Sequence, residues 1–402
     1  MDRKSQTIPR KPPLQTLLPV FLILAAIPGM VKIASQIIAW RTISHPAALG
    51  DGLNYWAGPF LARQSVAAVF NPPVYSTWLA THLAVKNLIW SYPPSFLLLL
   101  YPLGFLPPVA AVFLFDIMSL AVLAFALEST SFFQKRSSSL LPLLFCPAAL
   151  ENLADSQNGA LISALLIAGL KLEAENPLLA GVLLGLLSVK PQIALLVPVY
   201  LLARRNFRAL AAAAAAALAL AGAALACFGA AAWQGFFQAV APAMSAGLVY
   251  MTHTPHPGPQ AMMMSVFNLA RECGAPVKIS YAVQLVAAVV AMGLTWRAAR
   301  MGPEFRIAAV LLLSAVATPY LWCYDMIFTA YAAVLLAPVA LERGRGGEGL
   351  LLAGLWLTPG LAVYLEILHL PSLFPLFAVG ALAIAWRRAS IPTPGSFAAA
   401  AA

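Results

Sequence analysis

Apolar segments of about membrane-spanning length follow one another along almost the whole chain, and this spacing constrains the fold more than any motif. One helical crossing needs about 20 apolar residues, so 402 residues have room for ten or more crossings. Hydrophobic residues make up 61% of the chain and charged residues only 9%, whereas soluble domains carry about 25% charged residues. We therefore predict a single all-α domain over 1–402, a polytopic bundle of transmembrane helices.

The apolar runs give about twelve spans if each makes one crossing. They lie at 14–40, 93–130, 139–152, 158–171, 177–189, 191–203, 209–229, 279–298, 306–320, 322–340, 349–366 and 370–386. Several runs are shorter than a full crossing, so we expect tilted or broken helices whose backbone groups are satisfied among neighbours. The run 93–130 has room for two short helices, and we expect part of it to be re-entrant or interfacial.

The basic residues indicate which way the spans run. With twelve crossings, about 17 Lys and Arg side chains fall on the cytoplasmic side and about six on the outer side. The tails 1–13 and 389–402 are then cytoplasmic, and 41–92 and 230–278 are two long outer loops. Because topology explains the net charge of +10, no nucleic-acid partner is indicated. Lys32 lies within the first run.

Neither a metal nor a cofactor is predicted. The four cysteines are scattered singly and are expected to be packing residues: Cys146, Cys227, Cys273 and Cys323. Glu151 and Asp155 are only a loose pair of possible metal ligands. The sequence has no glycine-rich phosphate loop, so nucleotide-driven chemistry is unsupported.

The first long loop has features of a site at the membrane surface. It carries Asp51, Tyr55 and Arg63, followed by Asn71-Pro72-Pro73-Val74-Tyr75, a stretch that we do not expect to form a continuous helix. A short helix lying in the interface is expected over 76–90.

The polar residues that interrupt the apolar runs fall mostly on the predicted outer side. They are Asp51, Tyr92, Glu151, Asn152, Asp155, Gln157, Asn158, Lys190, Gln192, Thr318, Tyr320, Tyr324 and Asp325. Ionisable groups at membrane depth are costly and mark functional sites. A carboxylate base, cations for a departing phosphate and aromatic rings for a sugar are what a membrane transferase needs, so we expect these residues to converge.

Several of these residues have a second, structural interpretation. Asp51 suits a general base or an aspartate that forms an Asx-turn into Gly52. Lys190 suits a phosphate contact or a lysine that snorkels to the interface. His253 and His256 suit phosphate contacts or an acid, or are simply loop residues.

Two further carboxylates lie within apolar runs. Each suits either a reactant or a buried, hydrogen-bonded group that holds neighbouring helices together, and for Asp116 we favour the second interpretation over the first; the other carboxylate is Asp325.

The order of the motifs resembles glycosyltransferase family 87 of the GT-C superfamily, typified by polyprenol-phosphate-mannose-dependent mannosyltransferases. The resemblance spans most of the chain. It rests on Asp51 with Tyr55, Tyr92-Pro93-Pro94, Tyr101-Pro102-Leu103, Leu106-Pro107, Gln157-Asn158, Lys190-Pro191, Arg204-Arg205-Asn206-Phe207-Arg208, Thr318-Pro319-Tyr320 and Tyr324-Asp325. A histidine that some members carry near Trp322-Cys323-Tyr324 is absent here.

The resemblance implies a hexosyltransferase of the plasma (inner) membrane. Its donor would be a polyprenyl-phosphate sugar, with mannose as the expected hexose, and its acceptor would be a glycolipid or glycan. Its site would lie on the extracytoplasmic side, among membrane lipids. Asp51 would act as general base in an inverting transfer. Our candidates for the donor phosphate are Lys190, Arg63, His256 and His253. Those for the sugar or acceptor are Tyr55, Tyr92, Gln157, Asn158, Gln192, Tyr320, Tyr324 and Asp325.

Two alternatives come from other functional classes. A transporter or flippase would also have broken helices and intramembrane charges, but the two halves show no internal repeat. A non-catalytic subunit of an envelope-polymer assembly would be favoured if Asp51 were dispensable.

Overall fold

A computed structural model describes residues 13–43, 46–86, 88–128, 140–252, 262–342 and 346–389. These residues form an all-α structure, which confirms the predicted class. They contain no strand beyond an isolated antiparallel bridge between Met263 and Trp322.

Twenty α-helices follow one another along the described chain. They are α1 Pro13–Ile43, α2 Asn54–Ala62, α3 Val66–Val69, α4 Pro72–Leu83, α5 Pro94–Leu100, α6 Pro108–Glu128, α7 Leu140–Leu144, α8 Pro147–Ala154, α9 Gly159–Leu172, α10 Pro177–Leu186, α11 Pro191–Ala194, α12 Val197–Ala203, α13 Phe207–Gly235, α14 Ala241–Met251, α15 Val266–Glu272, α16 Val277–Ala298, α17 Pro303–Ala317, α18 Ile327–Glu342, α19 Gly346–Ile367 and α20 Phe374–Ala389. Short 3₁₀ turns cover Pro46–Leu53, Tyr101–Phe105, Leu187–Val189 and Cys323–Asp325.

Among the residues that the structure describes, four helical segments are long and apolar enough to cross a membrane by length and composition. They are Pro108–Glu128, Phe207–Met251, Val277–Ala298 and Gly347–Ile367. Several other helices are short and begin with proline, which is tolerated in a first turn but not in a helix interior. The count of twelve spans therefore stays a prediction.

The long run 93–130 is divided, as its length suggested. Helix α5 passes into the 3₁₀ turn Tyr101–Phe105, and α6 starts afresh at Pro108. That this run makes one net crossing, with part of it re-entrant or interfacial, stays a prediction.

The first long loop folds into the short helices α2, α3 and α4 behind a 3₁₀ turn. Our prediction for Asn71-Pro72-Pro73-Val74-Tyr75 is wrong from Pro72 onward, because α4 begins there with Asn71 as its N-cap. Prolines are accepted at this end because first-turn N–H groups have no intrahelical partner. Tyr75 then donates to Asn54 Oδ1 at 2.7 Å and ties α4 to α2.

The segment 230–278 contains more helix than its description as a loop suggests. Helix α13 continues through a π turn, Phe236–Val240, into α14. Gly229 breaks this long helix with a positive φ of 76°, a conformation that glycine adopts without steric cost.

The alanine-rich helix α13 packs closely against α10. A Cβ atom at Gly181 would lie within 2.3 Å of the Ala209 carbonyl oxygen, and one at Gly185 within 2.3 Å of that of Ala213. Small residues that let backbones approach are a common device of membrane helices.

The expectation for the cysteines is half correct. Cys146 and Cys323 are buried, but Cys227 and Cys273 are exposed. A small apolar thiol is accepted at such surface positions as well as in the core.

A charged cluster lies just beyond the C-terminal end of α9, and we call it the Glu173 cluster. Its members are Glu173, Tyr200, Arg204, Asn206 and Arg306. It joins the end of α9 to α12, α13 and α17, and in it Glu173 pairs with both Arg204 at 3.3 Å and Arg306 at 3.8 Å.

Candidate active site

The site is built on the segment that joins α8 to α9. We call residues 151–158, the last turn of α8 and the residues that follow it, the polar turn, because five of its eight side chains make polar contacts with distant parts of the chain. Ser156 has a positive φ of 45°, which is uncommon for a residue other than glycine. Such strain persists only where the surroundings hold it, and it is frequent at functional sites.

Gln157 is the centre of the hydrogen-bond network. Its Nε2 donates to Asp51 Oδ2 at 3.0 Å. Its Oε1 accepts from the hydroxyls of Tyr55 at 3.3 Å and Tyr92 at 3.4 Å, and these two hydroxyls are 3.1 Å apart. Because the tyrosines fix the amide oxygen, the amide nitrogen is directed at Asp51.

Asp51 is exposed to solvent but lies in crowded surroundings. Partial desolvation and the negative charge of Asp155 raise the pKa of Asp51 above its usual value, while the Gln157 hydrogen bond and the charge of Lys32 lower it; the net shift is upward. A carboxylate with a raised pKa is a stronger base once ionised.

A buried ion pair lies beside this network. Lys190 Nζ donates to Asp325 Oδ1 at 2.5 Å and to Asn158 Oδ1 at 3.0 Å. The ammonium group also lies 5.6 Å from the centroid of the Tyr324 ring. Lys190 is therefore neither snorkelling nor fully open to a ligand: two of its three N–H donors are used within the described chain.

Aromatic side chains line the same region. The rings of Trp322 and Tyr324 are parallel within 6°, with centroids 6.0 Å apart. Tyr320 bonds through its hydroxyl with that of Ser245 at 3.0 Å, and Gln192 is half-buried.

The carboxylates that we considered as loose metal ligands bind a cation of the chain itself. Lys32 Nζ lies 2.8 Å from Glu151 Oε2 and 3.2 Å from Asp155 Oδ2. Asp116 accepts a hydrogen bond from Ser156 Oγ at 2.8 Å, which fits its interpretation as a buried carboxylate between helices.

Two glycines let other segments reach the polar turn. A Cβ atom at Gly52 would lie 2.3 Å from Ser156 Cβ, and one at Gly159 would lie against the Tyr324 carbonyl oxygen. Each therefore sets the distance between the polar turn and a segment that carries a candidate residue.

The structure brings together candidate residues from four distant parts of the chain: Asp51, Gln157 with Asn158, Lys190, and Tyr324 with Asp325. Arg63 is not brought together with them. It donates to the Gly104 carbonyl at 2.9 Å and lies over the Phe105 ring at 4.2 Å, at the far end of α2 from Tyr55.

Two candidate residues lie outside the described chain, and the sequence analysis did not predict some of the contacts at the site. His253 and His256 fall in 253–261, outside the described residues. The contacts of Ser156 and the partners of Lys32 were missed. A lysine inside an apolar run and an acidic pair elsewhere were both visible, but nothing in the sequence joined them.

Comparisons with known proteins address the chemistry of this site. The sequence profile of glycosyltransferase family 87 matches residues 90–323, more than half of the chain. The match covers the polar turn and Lys190, whereas Asp51 and Asp325 lie outside it. No curated protein and no solved structure gave a significant match. This chain is an integral membrane protein that belongs to glycosyltransferase family 87, a family of the GT-C type.

Proposed function

We propose that this family 87 glycosyltransferase transfers a hexose, mannose being the first candidate, from a polyprenyl-phosphate sugar to a hydroxyl of a lipid or glycan acceptor. The observation that carries the proposal is the Asp51 carboxylate, which the Gln157 amide holds at 3.0 Å in partly desolvated surroundings. Membership of family 87 supports glycosyl transfer as the reaction. The donor, the sugar and the base are our proposals.

Asp51 acts as the general base. The acceptor oxygen attacks the anomeric carbon while Asp51 takes the hydroxyl proton, and the bond from that carbon to the phosphate oxygen breaks. Polyprenyl phosphate leaves with the bonding electrons, and direct attack inverts the anomeric configuration. A base within hydrogen-bonding reach contributes about 10²–10⁴-fold to such a step.

Asn158 and Asp325 are the proposed contacts for a sugar hydroxyl. Asn158 Nδ2 and Asp325 Oδ2 are buried and have no hydrogen-bond partner within the described chain. An unsatisfied buried group costs about 1–3 kcal/mol, and a hydroxyl both donates and accepts. Tyr55, Tyr92, Gln192 and Tyr324 would surround the sugar and acceptor.

Lys190 is our first candidate for the donor phosphate, because its hydrogen bonds to Asn158 and Asp325 use two of its three N–H donors and a phosphate oxygen would accept from the third. Arg63, which has no carboxylate partner among the described residues, is the second candidate, and it would contact a phosphate only at a distance from Asp51. His256 and His253 complete the set.

An apolar groove supports a lipid-linked donor. It has a volume of about 600 Å³ and is lined by Ser245, Ala246, Val249, Tyr250 and Tyr281. The hydrogen bond between the hydroxyls of Ser245 and Tyr320 joins this groove to the segment that carries Tyr324 and Asp325. We propose that a prenyl chain lies here, with the site on the extracytoplasmic face of the plasma membrane and both termini in the cytoplasm.

The test is transfer of radiolabelled sugar by the purified protein. Native membrane-lipid extract supplies acceptors, and two donor panels are compared, polyprenyl-phosphate sugars and nucleotide sugars. We expect labelled product from a polyprenyl-phosphate hexose and none from nucleotide sugars. Transfer from nucleotide sugars alone, or no transfer by folded protein from any lipid-linked donor, would overturn the proposed donor.

A further inference from the structure

Lys32 is an unusual residue for its position. It lies within α1, where it is the one charged residue of the apolar run 14–40, and its side chain is only one-third exposed. A cation at membrane depth is costly unless it is paired. Here it meets two carboxylates, Glu151 Oε2 at 2.8 Å and Asp155 Oδ2 at 3.2 Å.

The two carboxylates belong to the element that positions the proposed base. Asp155 is two residues before Gln157, which donates to Asp51. The charge of Asp155 opposes ionisation of Asp51, and the charge of Lys32 favours it. Lys32 therefore affects Asp51 without contacting it.

A purely mechanical tie between α1 and α8 would not need a lysine. Gly29 already lets α1 approach α8 closely, because a Cβ atom there would lie 2.8 Å from Leu150 Cβ. One turn of helix later, Lys32 adds a charge to a contact that packing alone provides.

We propose that Lys32 is a positioning residue of the active site: its ammonium group neutralises Glu151 and Asp155 and holds the polar turn where Gln157 meets Asp51. This inference rests on the proposed role of Asp51 as general base. Lys32 itself takes no part in proton transfer or substrate contact.

The groups that face Asp51 come from several elements. They are Lys32 on α1, Asp155 on the polar turn, Tyr92 ahead of α5 and Tyr324 in the 3₁₀ turn Cys323–Asp325, with Glu151 and Asp116 held in ion pairs or hydrogen bonds nearby. Tyrosine hydroxyls are neutral near pH 7. The charges that Asp51 meets are therefore chiefly those of Asp155 and Lys32.

The test is the pH dependence of kcat/KM for sugar transfer in four variants of the full-length protein. Lys32→Met should move the acidic limb to higher pH by about one unit, and Lys32→Arg should restore the wild-type profile. Asp155→Asn should move the limb to lower pH. Lys32→Met combined with Asp155→Asn should return it towards the wild-type position.

The outcomes separate this inference from the proposed function. Identical acidic limbs in active wild type and Lys32→Met would overturn the role of Lys32 alone. So would an equal loss of activity at every pH in the single and double variants, which indicates a structural tie. If Lys32→Met does not fold, an unshifted limb in Asp155→Asn overturns the inference. Full activity of Asp51→Asn would instead overturn the proposed base, and the inference with it.

Discussion

Two carboxylates, Glu173 and Asp51, lie near opposite ends of helix α9 and in opposite situations. Beyond its C-terminal end, Glu173 accepts hydrogen bonds from Tyr200, Arg204 and Asn206 at 2.8–3.3 Å. Before its N-terminal end, Asp51 accepts one hydrogen bond from the described residues, that of Gln157. About 20 Å of helix separates the two ends.

A carboxylate surrounded by donors has no lone pair left for a substrate proton, and its charge is neutralised by fixed cations. The Glu173 cluster therefore joins helices. Asp51 is exposed and only partly satisfied, so its oxygens remain open to an acceptor hydroxyl. The number of donors, rather than burial alone, separates the structural carboxylate from the proposed reactive one.

The largest expected effect is the loss of activity in Asp51→Asn. The amide cannot take the acceptor proton, so the transfer rate should fall about 10²–10⁴-fold. The variant should unfold at nearly the wild-type Tm, because Asp51 is exposed. A variant with wild-type transfer would remove Asp51 from the chemistry.

Glu173→Gln should do the reverse and lower the stability of the protein more than its transfer rate. It leaves Arg204 and Arg306 without their anionic partner, and breaking a buried pair costs about 3 kcal/mol. We expect a clear drop in the Tm of the detergent-solubilised protein. An unchanged Tm would show that the Glu173 cluster does not stabilise the fold.

Gly52→Ala should reduce both activity and stability. The added Cβ overlaps Ser156 Cβ, and overpacking of this kind costs about 1–3 kcal/mol. Gly222→Ala is the matched control, since nothing lies within 4 Å of a Cβ atom there. Equal transfer rates in the two variants would contradict a close approach of the Asp51 segment to the polar turn.

The smallest effect concerns pH. Because the pKa of Asp51 is raised, kcat/KM should fall as the pH decreases through a value above the usual aspartate range. Gln157→Leu removes a hydrogen bond that lowers this pKa, so its acidic limb should lie at higher pH than that of the wild type. A limb at lower pH would contradict the assigned geometry.

The sequence predicts the convergence of the site because apolar runs place their polar ends at common faces. Asp51, Gln157, Lys190 and Asp325 were all named as candidates in this way. Their pairing was not predictable: whether Lys190 meets a phosphate, the interface or Asp325 depends on how helices pack, and no linear spacing encodes this.

The errors also have physical reasons. Paired prolines at Pro72 and Pro73 read as helix breakers, but they stand in a first turn where no N–H is needed. Gly52 and Gly159 carry no local signal, since their importance comes from segments more than a hundred residues away that approach their α-carbons.

The most direct test of the proposed base is chemical rescue. Transfer by Asp51→Gly is measured with increasing concentrations of formate, a small carboxylate that fits the vacated space, and Glu173→Gly serves as the matched control. We predict that formate restores part of the activity of Asp51→Gly and none of that lost in Glu173→Gly. Wild-type transfer by Asp51→Gly without formate would contradict the role of Asp51 as general base.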